Sequence, residues 1–226
     1  MHHNTCPVPG CAAPSSRFSP LCAAHRRTQA RHGHYAQTAL DLHELKPYLA
    51  GISKRRKANP ASPAWAILDN RWAALVSTAG GILAEIEAGR AFSRPGKVAA
   101  EYVRKLAQHA APEDIVGVSL AVLICARKQP HRFKSDRAVS FQLVRRVRGL
   151  ADTHAGTYWS PKDKRMKRVY RDACPQAVEI LGRWLQDAFG VAAIQLADLQ
   201  DREKADHEAA KRAELERLSE AIAAMA

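Results

Sequence analysis

The feature that most constrains this chain lies in its first 25 residues, where Cys6, Cys11, Cys22 and His25 follow one another as Cys-x4-Cys-x10-Cys-x2-His. Three thiolates and one imidazole complete a closed tetrahedral Zn2+ site. The spacing suits that reading. Pro7-Val8-Pro9-Gly10 is a turn-forming loop that carries the first two sulfurs to one side. Cys22 and His25 are three residues apart and share a face if a helix starts near Pro20. A segment so poor in apolar residues has almost no core, so Zn2+ would supply its folding free energy, on the order of 10 kcal/mol. The competing reading is three unrelated cysteines in an arm. His2, His3, His32 and His34 are alternative ligands at less regular spacing. The chain has five cysteines, and an odd number excludes a complete disulfide framework. Cys125 lies within an apolar run and is expected to be a buried thiol.

Cys6-Pro-Val-Pro-Gly-Cys11, then Cys22-Ala-Ala-His25-Arg26-Arg27, then Arg31-His32-Gly33, resemble the short Cys3His zinc module of phage and mobile-element proteins, which often precedes HNH-type homing endonuclease domains. The resemblance covers about 30 residues and implies a metal role for Cys6, Cys11, Cys22 and His25. It does not extend to nuclease activity, because no His-Asn-His signature follows. His32-Gly33-His34 with Tyr35 is a poor match to nicking enzymes, whose paired histidines flank a bulky apolar residue on a strand.

Charge gives the second constraint. The formal net charge of +13 fits a polyanionic partner, either nucleic acid or an anionic membrane surface. Residues 1–57 carry +7, residues 58–118 balance, residues 119–175 carry +10 and residues 176–226 carry −4. A uniformly solvated surface does not need such segregation. Neither basic block is a basic amphipathic helix with a broad apolar face, so no membrane partner is expected. No apolar run reaches the ~18 residues of a spanning helix. The residues after Met1 lack a charged stretch followed by an apolar one, so a cytoplasmic location is expected.

The apolar periodicity predicts a mainly α fold. The expected organisation is a zinc module over 1–35, a helix and basic linker over 36–63, a helical nucleic-acid-binding domain over 64–190, and a long C-terminal helix over 191–226. The helix over Thr38–Ile52 should break or kink at Pro47, and Gly80-Gly81 should bend or split the helix over Ala64–Ala88. Helices are also expected from about Pro95 to Ala110, from Pro112 to about Cys125, over Asp136–Leu150 behind a Ser135 N-cap, and over Gln176–Phe189. Thr157-Tyr158-Trp159 and Lys167-Arg168-Val169-Tyr170 flank a basic, turn-rich loop and read as a β-hairpin. Residues 112–172 thus have the order of a winged helix-turn-helix, whose third element would enter the major groove.

The candidate nucleic-acid contacts follow. They are Arg26, Arg27 and Arg31 after the cysteine cluster, and Lys54, Arg55, Arg56 and Lys57 in the linker. Arg137, Gln142, Arg145, Arg146 and Arg148 form the outer arc of the candidate recognition helix. Lys162, Lys164, Arg165, Lys167 and Arg168 lie in the hairpin. His131 and His154 are further candidates for phosphate contacts. Leu215, Leu218, Ile222 and Met225 repeat at 3-4-3 spacing and point to a homodimer or another protein partner. No Gly-rich phosphate loop, serine elbow or paired-carboxylate motif stands out. The expected function is therefore zinc-dependent binding of DNA, or of RNA, in transcription regulation, replication or recombination of a phage, plasmid or other mobile element, without catalysis. A nuclease or recombination enzyme with an unrecognised active site is the first alternative, and a structural subunit of a nucleoprotein complex is the second.

Overall fold

The computed structural model describes residues 5–16, 18–151, 156–162, 164–169 and 173–225. His2, His3 and His154 lie outside them, as do the side chains of Lys167 and Arg168. The three- and four-residue apolar spacing becomes α1 (Ala23–His32), α2 (Leu42–Ala58), α3 (Pro63–Glu87), α4 (Arg94–His109), α5 (Pro112–Lys128), α6 (Asp136–Arg148) and α7 (Pro175–Ala223). A short 3-10 turn, Pro130–Arg132, joins α5 to α6. The strands β1 (Gly156–Ser160) and β2 (Arg165–Val169) pair antiparallel between α6 and α7. The fold is mainly helical with a long C-terminal helix, as the periodicity implies.

α2 through α7 share one hydrophobic core, with Leu45, Ile52, Trp72, Val103, Leu120, Leu143 and Phe189 among its buried members. α5 runs through its centre, and Ile115, Leu120, Ala121, Val122 and Ile124 on it are fully buried. At Gly182 on α7, an added Cβ would come within 2.7 Å of the Ser140 Cβ on α6, so glycine lets these helices approach closely.

Several boundaries differ from the sequence expectation, each for a physical reason. α2 starts at Leu42, where Asp41 and Glu44 form a reciprocal capping box, and it runs past the exposed Pro47 to Ala58. Lys54–Lys57 are therefore its last turns, where cations face the negative end of the helix dipole. α3 continues through Gly80-Gly81, because Ala79 and Leu83 on either side are buried in the core. α7 passes through Gly190 for the same reason, with Phe189 and Ala193 buried around it. The hairpin loop is shorter than expected, since Ser160 pairs with Arg165 and leaves only residues 161–164 outside the ladder.

The cysteine-rich segment joins the bundle through a short strap, residues 33–41. At Gly33 φ is +84°, and a Cβ there would lie 2.8 Å from the Arg137 carbonyl oxygen and 2.9 Å from the Ala138 Cα. Only glycine allows both the left-handed backbone and this close approach of α1 to α6. Leu40 then inserts into the core, and its N–H donates to Gln142 Oε1 at 2.8 Å while its carbonyl accepts from Arg146 Nη2. Gln37, also buried, accepts from the Lys134 N–H at 3.0 Å and donates to the Thr38 carbonyl at 2.8 Å. Arg132 donates to Glu44 at 2.5 Å, to the Ala39 carbonyl at 2.7 Å and to Thr38 Oγ1 at 3.1 Å. Gln142→Ala should strand the buried Leu40 N–H and cost about 1–3 kcal/mol. Chemical denaturation would measure this, and faster amide exchange at Leu40 than elsewhere in the core would locate the loss in the strap.

Candidate metal centre and basic surface

The cysteine-rich segment has a backbone frame that brings its four candidate ligands together. The Cys6 N–H donates to the Ala13 carbonyl at 3.0 Å, and the Cys11 N–H donates to the Val8 carbonyl at 3.0 Å. Gly10, at φ +77°, closes the Val8–Cys11 turn. Cys22 caps α1, and the Arg26 N–H donates back to its carbonyl at 2.9 Å, which stacks His25 over Cys22. The ligand atoms of Cys6, Cys11, Cys22 and His25 all lie within 4.8 Å of one another. His25 Nδ1 is 3.5 Å from the Cys6 sulfur and 3.3 Å from the Cys22 sulfur, and the Cys11 and Cys22 sulfurs are 3.9 Å apart. A tetrahedron with zinc–sulfur bonds of about 2.3 Å and a zinc–nitrogen bond of about 2.0–2.1 Å has edges of about 3.6–3.8 Å. The three shortest contacts, 3.3–3.9 Å, lie within a few tenths of an ångström of those edges, so these four side chains are positioned to hold a metal ion.

The surroundings support that arrangement. Cys6, Leu21 and Cys22 form a small buried cluster, with Val8, Ala13 and Tyr35 packed on it. Tyr35 meets the His25 ring edge-on at 6.1 Å and stacks on His34 at 4.2 Å. Burial opposes ionisation of Cys6, but the backbone N–H groups of Cys22 and Val8, with the His25 and Cys11 side chains, bring its thiol down to about 6. The Ala13 N–H favours the Cys11 thiolate, yet burial and the neighbouring Cys22 and Cys6 sulfurs outweigh it and push that thiol up. His32 and His34 are not ligands here. His32 Nδ1 lies 3.3 Å from Gln142 Nε2, and His34 Nδ1 accepts from the Ala36 N–H at 3.1 Å. Cys125 is buried among apolar side chains, and burial pushes its thiol up.

The candidate nucleic-acid contacts separate into two sets. One set is used inside the fold. Gln142 is 0% exposed and bonded to the strap, so the expectation that it lies on an outer arc is corrected. Arg146 turns inward to Leu40, and burial, with the neighbouring Arg145, disfavours its charge. Arg137 pairs with Glu179 at 2.6 Å and lies 5.0 Å over the Phe141 ring, while Arg148 lies 4.3 Å over the Tyr102 ring. Within α6 only Asp136 and Arg145 are exposed, because the helix packs against α1, α5 and α7. α6 therefore has no free face to lay into a DNA groove. Arg55 pairs with Glu203, and Arg56 pairs with Asp69 at 2.8 Å while its guanidinium lies 5.5 Å from the Trp65 ring.

The other set is exposed. Arg26, Arg27, Lys54, Lys57, Arg145, Lys162, Lys164 and Arg165 face solvent and form no ion pair among the described residues, and Arg31 is also exposed. His131 is exposed beside them in sequence, and Lys134 Nζ reaches its carbonyl at 3.5 Å.

One basic face is invisible to charge averaging over residues 58–118. Arg94, Lys97, Arg104 and Lys105, with Glu101 as the single acid, fall on one arc of α4, opposite the buried Ala99, Val103 and Leu106. The four cations are exposed. The helical period of those positions is the signal that would have found them. The Arg148–Tyr102 contact brings the C-terminal end of α6, from which the hairpin departs, against α4.

No family model, curated protein or solved structure matches this chain. Among the described residues no helix is long and apolar enough to cross a membrane.

Metal analysis of the purified chain should find about one zinc per chain. Cys22→Ser should abolish it while far-UV circular dichroism keeps most of the helix signal, because the core of α2–α7 does not include the ligands. Protons compete with the metal for thiolate. Zinc retention should therefore fall as pH is lowered, and more steeply below about 6, where Cys6 also has to lose a proton to bind. A folded chain that holds no zinc at neutral pH would remove the centre.

Proposed function

We propose that this chain is a zinc-containing nucleic-acid-binding protein, with DNA as its expected partner, that acts by binding and positioning in transcription regulation, replication or recombination of a mobile element. The observation that carries the reading is the division of its cations. Those that face the interior or neighbouring helices are matched by acids, carbonyls or aromatic rings. Arg26 and Arg27 on α1, the four cations on the outer face of α4, and Lys162, Lys164 and Arg165 at the hairpin tip form no ion pair among the described residues. Exposed lysine and arginine side chains that form no ion pair suit a phosphate backbone, which attracts them along its length and releases counterions when they bind.

The Cys3His centre has a structural part in this reading. Four protein ligands leave no coordination position for substrate, which is the pattern of a folding metal, not a catalytic one. Zn2+ fixes α1, and α1 presents Arg26 and Arg27. The resemblance of residues 6–33 to the zinc module of phage and mobile-element proteins supports the biological setting.

Duplex DNA affinity should fall steeply with salt. Neutralising Lys162, Lys164 and Arg165 together should reduce the slope of log affinity against log salt by about 3, and neutralising Arg26 and Arg27 should reduce it by about 2. Lys204→Ala on the far part of α7 serves as the control and should change neither affinity nor slope. Unaltered slopes in both basic-site variants would reject the assignment.

The projecting end of α7, with Leu215, Leu218, Ile222 and Met225 exposed on one arc, is assigned in the same proposal to a protein contact with a second copy of this chain. Sedimentation should show a concentration-dependent dimer that Leu218→Glu disrupts. A wild-type chain that stays monomeric throughout would withdraw the dimer.

A further inference from the structure

The hairpin carries an apolar feature that phosphate contacts do not explain. Trp159 on β1 stands directly opposite Met166 on β2, so both side chains share one face of the two-stranded ribbon. Trp159 is 55% exposed and Met166 is 58% exposed. Tyr158, on the opposite face, is 50% exposed. Two aromatic rings and a thioether on this ribbon thus each present about half of their surface to water. A two-stranded ribbon with no core gains little from keeping such residues exposed.

The charge around them selects the class of occupant. One residue beyond the Trp159–Met166 pair, toward the tip, the Ser160–Arg165 pair falls on the other face with Tyr158, and the loop adds Lys162 and Lys164. Residues 156–169 carry five cations and one acid. A flat ring near an excess of cations matches a strand of nucleic acid, whose phosphates track the cations while its bases offer flat faces. Only a base that is not already stacked within a duplex has a face free to meet the ring.

We propose that the hairpin is a stacking platform for unpaired nucleotides: Trp159, backed by Met166, stacks on a base while Lys162 and Lys164 at the tip hold the adjoining phosphates. This rests on the nucleic-acid reading above and narrows its substrate to single-stranded or locally opened nucleic acid. The shared chemistry is an unpaired base on a phosphate backbone, so single-stranded DNA and single-stranded RNA are separate arms of the test.

The test uses the full zinc-loaded chain with oligo(dT), oligo(U) and a blunt duplex, read by anisotropy and by tryptophan emission. Trp65 and Trp72 are buried and Trp184 is half-buried, so quenching by a bound strand should report chiefly on Trp159. Trp159→Ala should abolish most of the quenching and weaken unpaired-strand binding about ten-fold or more, with duplex binding changed less than about two-fold. Trp159→Phe, which keeps a ring, should retain most of the affinity. The stronger of the oligo(dT) and oligo(U) arms identifies the source of the unpaired base. Unchanged single-strand affinity in Trp159→Ala, with salt-dependent duplex binding intact, would overturn the platform and leave the general reading standing. Failure of all three oligonucleotides to bind would instead overturn the nucleic-acid reading itself. Anionic vesicles that shift the Trp159 emission where oligonucleotides do not would assign the ring to a lipid surface and also overturn the proposal.

Discussion

The strap between the cysteine-rich segment and the bundle is the constraint on which the rest of the molecule depends. Residues 33–41 are not helical, yet Gly33, Gln37 and Leu40 are buried. Buried backbone outside regular structure has to find partners for its N–H and C=O groups elsewhere. Here Gln142, Arg132, Arg146 and Lys134 supply them from the α5–α6 connection and from α6. The arrangement orients the metal centre as well. α1 ends at Gly33, whose carbonyl faces Arg137 Nη1 at 3.4 Å, and His32 faces Gln142. Position and orientation of the Cys3His centre on the bundle are thus set by polar groups of one helix and its approach.

That use of polar groups determines which cations remain outside. An arginine satisfied by buried carbonyls and a carboxylate cannot also read a phosphate. Arg132 illustrates this. Its contact with Glu44 holds the Glu44 carboxyl below its usual range and raises the arginine further, so the pair is ionised throughout the neutral range. The basic block of residues 119–175 therefore includes both an inner framework of arginines around the strap, Arg132, Arg137 and Arg146, and an outer set at the hairpin tip, Lys162, Lys164 and Arg165. In sequence these look alike. Burial alone tells them apart.

The sequence was legible where a local rule acts alone. The four metal-centre ligands follow from spacing, the Ser135 cap accepts from the Ala138 N–H at 3.1 Å as its residue type implies, and the hairpin follows from β-branched and aromatic residues around a turn. It was not legible where tertiary burial overrides a local penalty. Gly80-Gly81 and Gly190 cost about 1 kcal/mol each against alanine in a helix, and buried neighbours outweigh that. Gln142 carries a polar side chain at a core position, which a pattern of apolar spacing assigns to the outside. The basic face of α4 was hidden for a different reason: within residues 58–118 its cations cancel in number against acids that lie mostly on α3 and α5.

α7 connects these parts and then leaves them. Its first half packs on α3, α4, α5 and α6 through Val178, Leu181, Leu185 and Phe189. Beyond Gln200 almost every residue is exposed, and a helix continuing to Ala223 extends about 35 Å at about 1.5 Å per residue. Exposed ion pairs at the exit, such as Lys128–Asp201 at 2.8 Å, contribute about 0–1 kcal/mol each and do not hold it there. What sustains it is continuity. An isolated helix of this length is marginal because its first turn is costly, whereas this one propagates from turns already fixed in the core. Its charge then matters. The projecting residues 201–226 carry −2, the opposite sign to the exposed cations of α4 and the hairpin tip. The apolar arc of Leu215, Leu218, Ile222 and Met225 lies on this unsupported part and faces solvent, because the helix has left the core before reaching it.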